Sequence, residues 1–282
     1  MTASDAPPRH EVYAIHFAES SRTGPETFLL PDPHDGPRPI FYYVWLIREP
    51  ASGAVTLVDT GFSEARAAER GRHFHRCPTA GLAALGVRPG EVRRVVLTHL
   101  HYDHAGNIGL FPNAEFLLQD SEMAFATGRD MRHPLMRHPF EAEDVCETVR
   151  CNHAGRVRFV DGDAQIAPGI ALVHVGGHSR GLQSVIVSTA RGRLVLASDA
   201  AHFFDNVLTG RPFPVVADPA RNLESHERLM GLADGPAMLI PGHDPAVMAL
   251  FPPVPGDPMT VDLAAEPLGP PPLAGAGPFG AP

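Results

Sequence analysis

Lysine is missing from this chain: all 23 basic residues among its 282 are arginine. That absence excludes chemistry run through a lysine amine, so pyridoxal-type Schiff-base enzymes and P-loop nucleotide hydrolases are ruled out. Positive charge is also in deficit. The formal net charge of −9 has the wrong sign for a nucleic-acid-binding face. No apolar run approaches the ~18 residues of a membrane span, and Met1 to His10 lacks the apolar core of a secretory signal. Cysteine is scarce, and Cys77, Cys146 and Cys151 form no C-x-x-C pair. Three widely spaced thiols suit a reducing cytoplasm better than a disulfide framework. What remains is an ordinary globular composition, 44% hydrophobic and 20% charged, long enough for one large domain or two small ones.

Strand-like runs cover Val12 to Ala18, Ile40 to Ile47, Ala54 to Val58 and Val95 to Leu97 in the first part of the chain. Residues 21–39, rich in proline, glycine and charge, read as a long loop. Helices are expected at Ser63 to Arg72 and Thr79 to Leu85, the second stopped by Gly86. After a strand at Glu115 to Leu118, Asp120 is expected to cap a short helix reaching Thr127. Residues 128–140 read as an irregular insertion, followed by a helix from Glu141 to Asn152. Strands are expected again at Arg156–Val160, Ile170–Val175, Ser184–Ser188, Leu194–Ala197 and Ala237–Ile240, with an amphipathic helix over 222–233. Strands in two runs, each punctuated by helices, fit an α+β architecture of two sheets packed face to face with helices outside. Residues 1–266 are expected to form one domain, and the Pro/Gly/Ala-rich stretch 267–282 a disordered tail.

Residues 98–106 read Thr-His-Leu-His-Tyr-Asp-His-Ala-Gly, an H-x-H-x-D-H run placed directly after an apolar strand. Alternate residues at a strand end point the same way, so His99 and His101 aim together. Asp103 and His104 fall where a new element begins and aim at a neighbouring point. One run can therefore feed two metal ions side by side, a hydrolytic device. A lone histidine among sixteen is unremarkable, but three histidines and an aspartate in six positions are not. Three more donors follow strands elsewhere: His178 after Gly176-Gly177, Asp199 after Leu196-Ala197-Ser198, and His243 after Pro241-Gly242. Each repeats the pattern of strand, turn and ligand.

At this point the chain resembles the metallo-β-lactamase superfamily over roughly residues 10–255. The resemblance rests on Asp59-Thr60-Gly61, the 99–104 run, Gly177-His178, Ser198-Asp199 and Gly242-His243. It implies a four-layer αββα sandwich of two mixed sheets with two metals at one edge. It also implies that His99, His101 and His178 hold one ion, that Asp103, His104 and His243 hold the other, and that Asp199 bridges both. Asp59 resembles the aspartate that braces the ligand loop. The family's usual ion is zinc, with iron and manganese members known.

Within the superfamily, the His-Tyr-Asp-His-Ala-Gly-Asn wording, Ser198-Asp199-Ala200 and Pro241-Gly242-His243-Asp244 resemble the lactonase branch, which includes acyl-homoserine lactonases. One position departs. Where those enzymes carry a tyrosine three residues after the bridging aspartate, this chain has His202.

The expected activity is opening of a lactone or related carboxylic ester by a hydroxide held between two divalent ions. Asp103 is expected to carry the proton and His202 to steady the oxyanion or protonate the leaving group. A thioester hydrolase like glyoxalase II and a phosphodiesterase stay open on the same fold, as does, less readily, a mononuclear iron dioxygenase. The expected partner is a small-molecule substrate, without nucleic acid or membrane, and a homodimer is admitted. His73, His75, Arg132, Arg137, Arg180 and Phe203 are candidate pocket residues, the arginines as receivers of a substrate carboxylate.

Overall fold

The computed structural model describes residues 7–23 and 26–273. The first sheet is built from β1 (Glu11–Arg22), β2 (Arg38–Arg48), β3 (Val55–Val58), β4 (His73–Phe74), β5 (Arg94–Val96), β6 (Glu115–Gln119) and β7 (Val157–Val160). The second holds β8 (Ala164–Ala167), β9 (Ile170–His174), β10 (Gln183–Thr189), β11 (Gly192–Ser198) and β12 (Leu239–Pro241). A closing hairpin, β13 (Pro253–Val254) and β14 (Asp257–Asp262), returns to the first sheet and pairs with β1.

The order of the first sheet is β13-β14-β1-β2-β3-β5-β6-β7, with β4 on β1, and that of the second is β12-β11-β10-β9-β8. Both are mixed: β3, β5, β6 and β7 run parallel, as do β11 and β12, and the other pairings are antiparallel.

The alternation of side chains along each strand explains the layering. In β2, Tyr43 and Trp45 enter the cluster shared with Val185, Val187 and Leu196 of the second sheet. Their neighbours Val44 and Leu46 point to the opposite face. That outer face is covered by α1 (Glu64–Glu69), α2 (Pro78–Ala84), α3 (Tyr102–Ala105), α4 (Asp120–Ala126), α5 (Pro134–Arg137) and α6 (Ala142–His153), through residues such as Ala67, Leu82, Phe125 and Val145. With both faces buried, β2 reads as an unbroken apolar run, as such strands must. On the second sheet's side, α7 (Phe204–Thr209), α8 (Pro219–Leu232) and α9 (Ala246–Leu250) add Phe204, Leu229 and Val247. The four-layer α+β sandwich is therefore observed. No helix among the described residues is long and apolar enough to cross a membrane.

Several details differ from expectation. Asp120 is the first residue of α4, and the capping position belongs to Gln119, which makes no side-chain cap bond. The 128–140 insertion contains two short helical turns, Arg129–Arg132 and Pro134–Arg137. The stretch from Pro267, expected to be disordered, is held down as far as Leu273. The Leu268 amide donates to the Leu250 carbonyl, and Leu273 is buried in the main core. The remainder of that expected tail, 274–282, lies outside the described residues. Among the described residues the three cysteines are free thiols.

Candidate metal centre

Strand direction alone gathers the site. Strands β9 and β11 both run antiparallel to β10 and so share a direction, and β12 runs parallel to β11. His178, Asp199 and His243 thus leave the second sheet at one end. Asp59 and the 98–104 run leave the first sheet after its parallel neighbours β3 and β5. Two glycines permit the approach. A Cβ on Gly177 (φ +89) would lie 2.5 Å from the Asn222 Cα, and one on Gly242 would lie 2.8 Å from the Ser198 backbone and 2.9 Å from Asp199 Oδ1.

All seven expected donors converge. One ligand atom each from His99, His101, His178 and Asp199 lie within 4.8 Å of one another, as do those from Asp103, His104 and His243. Asp199 faces both sets: its Oδ2 is 3.1 Å from His178 Nε2 and 3.9 Å from His99 Nε2, while its Oδ1 is 3.1 Å from His243 Nε2 and 3.2 Å from His104 Nε2. Asp103 Oδ2 sits 3.8 Å from both His104 Nε2 and His243 Nε2. His202 joins the same carboxylate, Nε2 to Asp199 Oδ2 at 3.1 Å, with its ring stacked on Phe213 at a centroid distance of 3.7 Å.

Hydrogen bonds behind the cluster set which nitrogen faces inward. The Thr98 hydroxyl donates to Asp59 Oδ2 at 2.8 Å and accepts from the Ser198 hydroxyl at 2.9 Å. Its remaining lone pair meets His99 Nδ1 at 3.1 Å, which assigns that nitrogen the proton. The same reasoning gives His104 an Nδ1–H donating to Asp59 Oδ2 at 2.7 Å, and His243 an Nδ1–H donating to the Phe41 carbonyl at 2.8 Å. Three imidazoles therefore turn Nε2 toward the centre. Carboxylate and carbonyl partners of this kind fix the orientation of ligating imidazoles. Asp59 (φ 62) and Ser198 (φ 48) are the non-glycine residues with left-handed backbone among the described residues, and both bond Thr98. Such strain persists only where the surroundings hold it.

The fit to metal is good. His99 Nε2 and His104 Nε2 are buried yet make no hydrogen bond. Burial holds His99 and His101 well below the usual histidine range, and lowers His178 to about 3 against the pull of Asp199. Neutral imidazoles with carboxylates form the donor set of divalent transition ions. At His104 burial opposes the charge, but Asp199, Asp59 and Asp103 overcome it and raise the imidazole well above its ordinary value. His243 is raised by Asp199 in the same way.

The expected pocket residues lie elsewhere. The cavity at the cluster is lined by Tyr42, Tyr102, Phe213 and Val215 and by arginines other than those expected. His73 and His75 reach Glu19 on β1 instead. Arg132 bonds its neighbour His133, Arg137 bonds the Arg132 carbonyl, and Arg180 pairs with Asp130 beside an adjoining cavity. Phe203 is buried in the core. Their local charge and aromaticity gave no information about which way the loops turn.

One important residue carried no visible signal. The fully buried Glu122 accepts from the amides of Leu100 (3.0 Å) and Gly181 (2.9 Å) and from the Ser179 hydroxyl. It ties the first ligand loop to the loop bearing His178.

Comparison with known proteins agrees with this architecture. Residues 37–243 match the family model of the metallo-beta-lactamase superfamily. The chain is 30% identical over 149 residues to an N-acyl homoserine lactonase of Bacillus thuringiensis, covering 52% of this chain and 54% of that protein. The match thus spans about half the length of that relative. It is 30% identical over 190 residues to the N-acyl homoserine lactonase AttM of Azorhizobium caulinodans (63% of this chain, 67% of that one). It is also 31% identical over 210 residues to human metallo-beta-lactamase domain-containing protein 1 (72% and 63%). In three dimensions it resembles a quorum-quenching N-acyl homoserine lactone lactonase with TM-score 0.70 at 23% identity, over 86% of this chain and 95% of that one. The dizinc lactonase AidC gives TM-score 0.65 at 15% identity, over 85% and 89%. With the family model spanning both ligand-bearing halves and the donors converging at the shared edge of two sheets, the chain belongs to the metallo-β-lactamase superfamily.

Proposed function

We propose that the chain is a dinuclear metal-dependent hydrolase that opens a lactone or a related carboxylic ester. The observation that carries this reading is Asp199, whose two oxygens face two separate sets of imidazoles about 3 to 4 Å away. Zinc is the proposed ion, on the strength of an imidazole-rich donor set. His99, His101 and His178 would hold one ion and Asp103, His104 and His243 the other, with Asp199 between them. Two such ions supply a water ionised near neutral pH and a Lewis acid for a carbonyl.

The chain's own side chains do the rest. Asp103 lines the cavity and has a second carboxylate oxygen with which to hold a proton between attack and departure. His202, pressed between Asp199 and Phe213, presents an imidazole that burial lowers to about 4, against the pull of Asp199. It is therefore neutral at pH 7 and serves as a hydrogen-bond donor rather than as a cation. A second, mostly apolar cavity shares His101, His178 and Val215 with the first and adds Phe125, Leu135, Met136 and Val216. It offers room for an acyl or alkyl substituent. Solved relatives include a hydrolase with N-hexanoyl-L-homoserine at its catalytic metal centre, and acyl-homoserine lactones, the quorum-quenching substrates, belong in the first panel tested.

The test is metal analysis of the purified protein together with a hydrolysis panel of acylated and plain γ-lactones, a thioester, a phosphodiester and a β-lactam. Two metal equivalents with lactone opening support the reading. Cleavage of the phosphodiester alone overturns it.

A further inference from the structure

Three arginines line the cavity above the cluster: Arg22, Arg70 and Arg72. Arg70 is already engaged, bonded to Glu141 and to the His138 carbonyl and lying 3.9 Å over the Tyr102 ring. The other two lack such a contact, although the Asp103 charge supports that of Arg72. Among the described residues neither Arg22 nor Arg72 has an ion-pair partner. Arg72 donates from Nε to the Tyr102 hydroxyl at 3.1 Å, and that hydroxyl donates to Tyr42. Arg22 Nε is buried without any hydrogen bond. Its guanidinium lies 5.1 Å from the centre of the Phe213 ring, the ring that stacks on His202.

The carboxylates nearby are committed elsewhere. Asp199 and Asp103 belong to the cluster, and the exposed Glu26 is bonded to the Thr23 amide and hydroxyl. At Arg22 the guanidinium is half-buried with no anion in contact and its Nε unbonded, a costly arrangement. Guanidinium in turn matches a carboxylate with two parallel hydrogen bonds.

We propose that the substrate is an ester or lactone carrying a free carboxylate, received by Arg22 and Arg72 while the reacting carbonyl lies over the cluster. This rests on the hydrolase reading above and narrows it to one class of substrate, distinct from uncharged acyl lactones. The two residues flank the cavity on β1 and in the segment between α1 and β4, so the anion would be held beside the metals and not upon them.

The experiment compares two γ-lactones on the metal-loaded full chain, one bearing a ring carboxylate and the other the corresponding carboxamide. The expected result is a preference for the carboxylate of at least 30-fold in kcat/KM, carried by KM and shrinking between 0.05 and 0.5 M salt as a charge contact must. In Arg22→Gln the preference falls at least tenfold, and Arg22→Lys restores part of it. Equal kcat/KM for the two lactones, or a preference untouched in Arg22→Gln, overturns the proposal while leaving the hydrolase reading intact. Hydrolysis of neither lactone overturns the hydrolase reading instead. Calorimetric binding of glutarate then decides the carboxylate site by itself: at least fivefold weaker binding in Arg22→Gln supports it, and equal binding overturns it.

Discussion

Asp59 takes both polar groups of Thr98, the amide on one carboxylate oxygen at 2.7 Å and the hydroxyl on the other at 2.8 Å. The hydroxyl also serves Ser198 and His99. Thr98→Val keeps the shape and deletes this junction. The expected outcome is a stability loss of about 1–3 kcal/mol from the polar groups left unpaired. Metal affinity should fall about 10–100-fold, as when an imidazole's supporting partner is removed. Thermal melting and chelator competition measure the two effects, and unchanged metal retention would count against the bracing role.

Asp103→Asn should reduce kcat by about 100-fold or more, the scale of a lost acid–base group, while most of the metal stays bound. The cluster keeps the remaining donors around Asp199, so metal content per chain and single-turnover rates separate the two effects. Full activity in this variant removes Asp103 from the mechanism.

His202 stands three residues after Asp199, between that carboxylate and the Phe213 ring. Because the imidazole is neutral well above its value of about 4, His202→Phe should lower kcat about tenfold or more without introducing a new ionisation between pH 6 and 9. His202→Tyr should recover most of the loss by returning a donor to the same spot. Equal losses in both variants would make His202 a packing residue against Phe213.

Glu122 accepts three hydrogen bonds from two ligand loops while fully buried. Burial raises its carboxyl, and those donors pull it back down. Glu122→Gln turns an amide against at least one donor, which should cost about 1–3 kcal/mol. The loss should appear as a lower Tm and as faster loss of metal. A variant with wild-type melting and metal retention would contradict the tethering role.

Asp144, at the start of α6, is raised to about 6 by burial, and its Oδ2 has no hydrogen-bond partner. With the folded value above the unfolded one, the folded state binds more protons between about pH 4 and 6. Stability should therefore fall as pH rises through that window. Asp144→Asn should raise Tm by about 2 °C at pH 7.5 and by less at pH 4.5. A gain of equal size at both values would rule out the titration.

The convergence was legible because His99, His101, His178, Asp199 and His243 each follow a strand, while Asp103 and His104 lie in the short helix α3 that opens right after His101. The run from His99 to His104 and the separate His178, Asp199 and His243 all reached the centre. Layering was legible for strands such as β2, whose alternating Tyr43, Val44 and Trp45 each have a covered face. The hairpin β13–β14 was not: no strand was expected after Ala237–Ile240, and its pairing with β1 is confined to Thr260, Val261 and Asp262. Pocket walls were the least legible part. Arg22 lies on β1, 77 positions before His99, the first of the ligand set, and only folding shows that it overlooks the cluster while Arg132 and Arg137 do not.

The junction at Thr98 is made from both sheets, by Asp59 beside it and by Ser198 from across the sandwich. Neither half of the chain can build it alone, and the last donor, His243, lies some 140 positions after the first. Metal uptake is therefore an assay of completed assembly, reporting that the late segment has docked before any substrate is added.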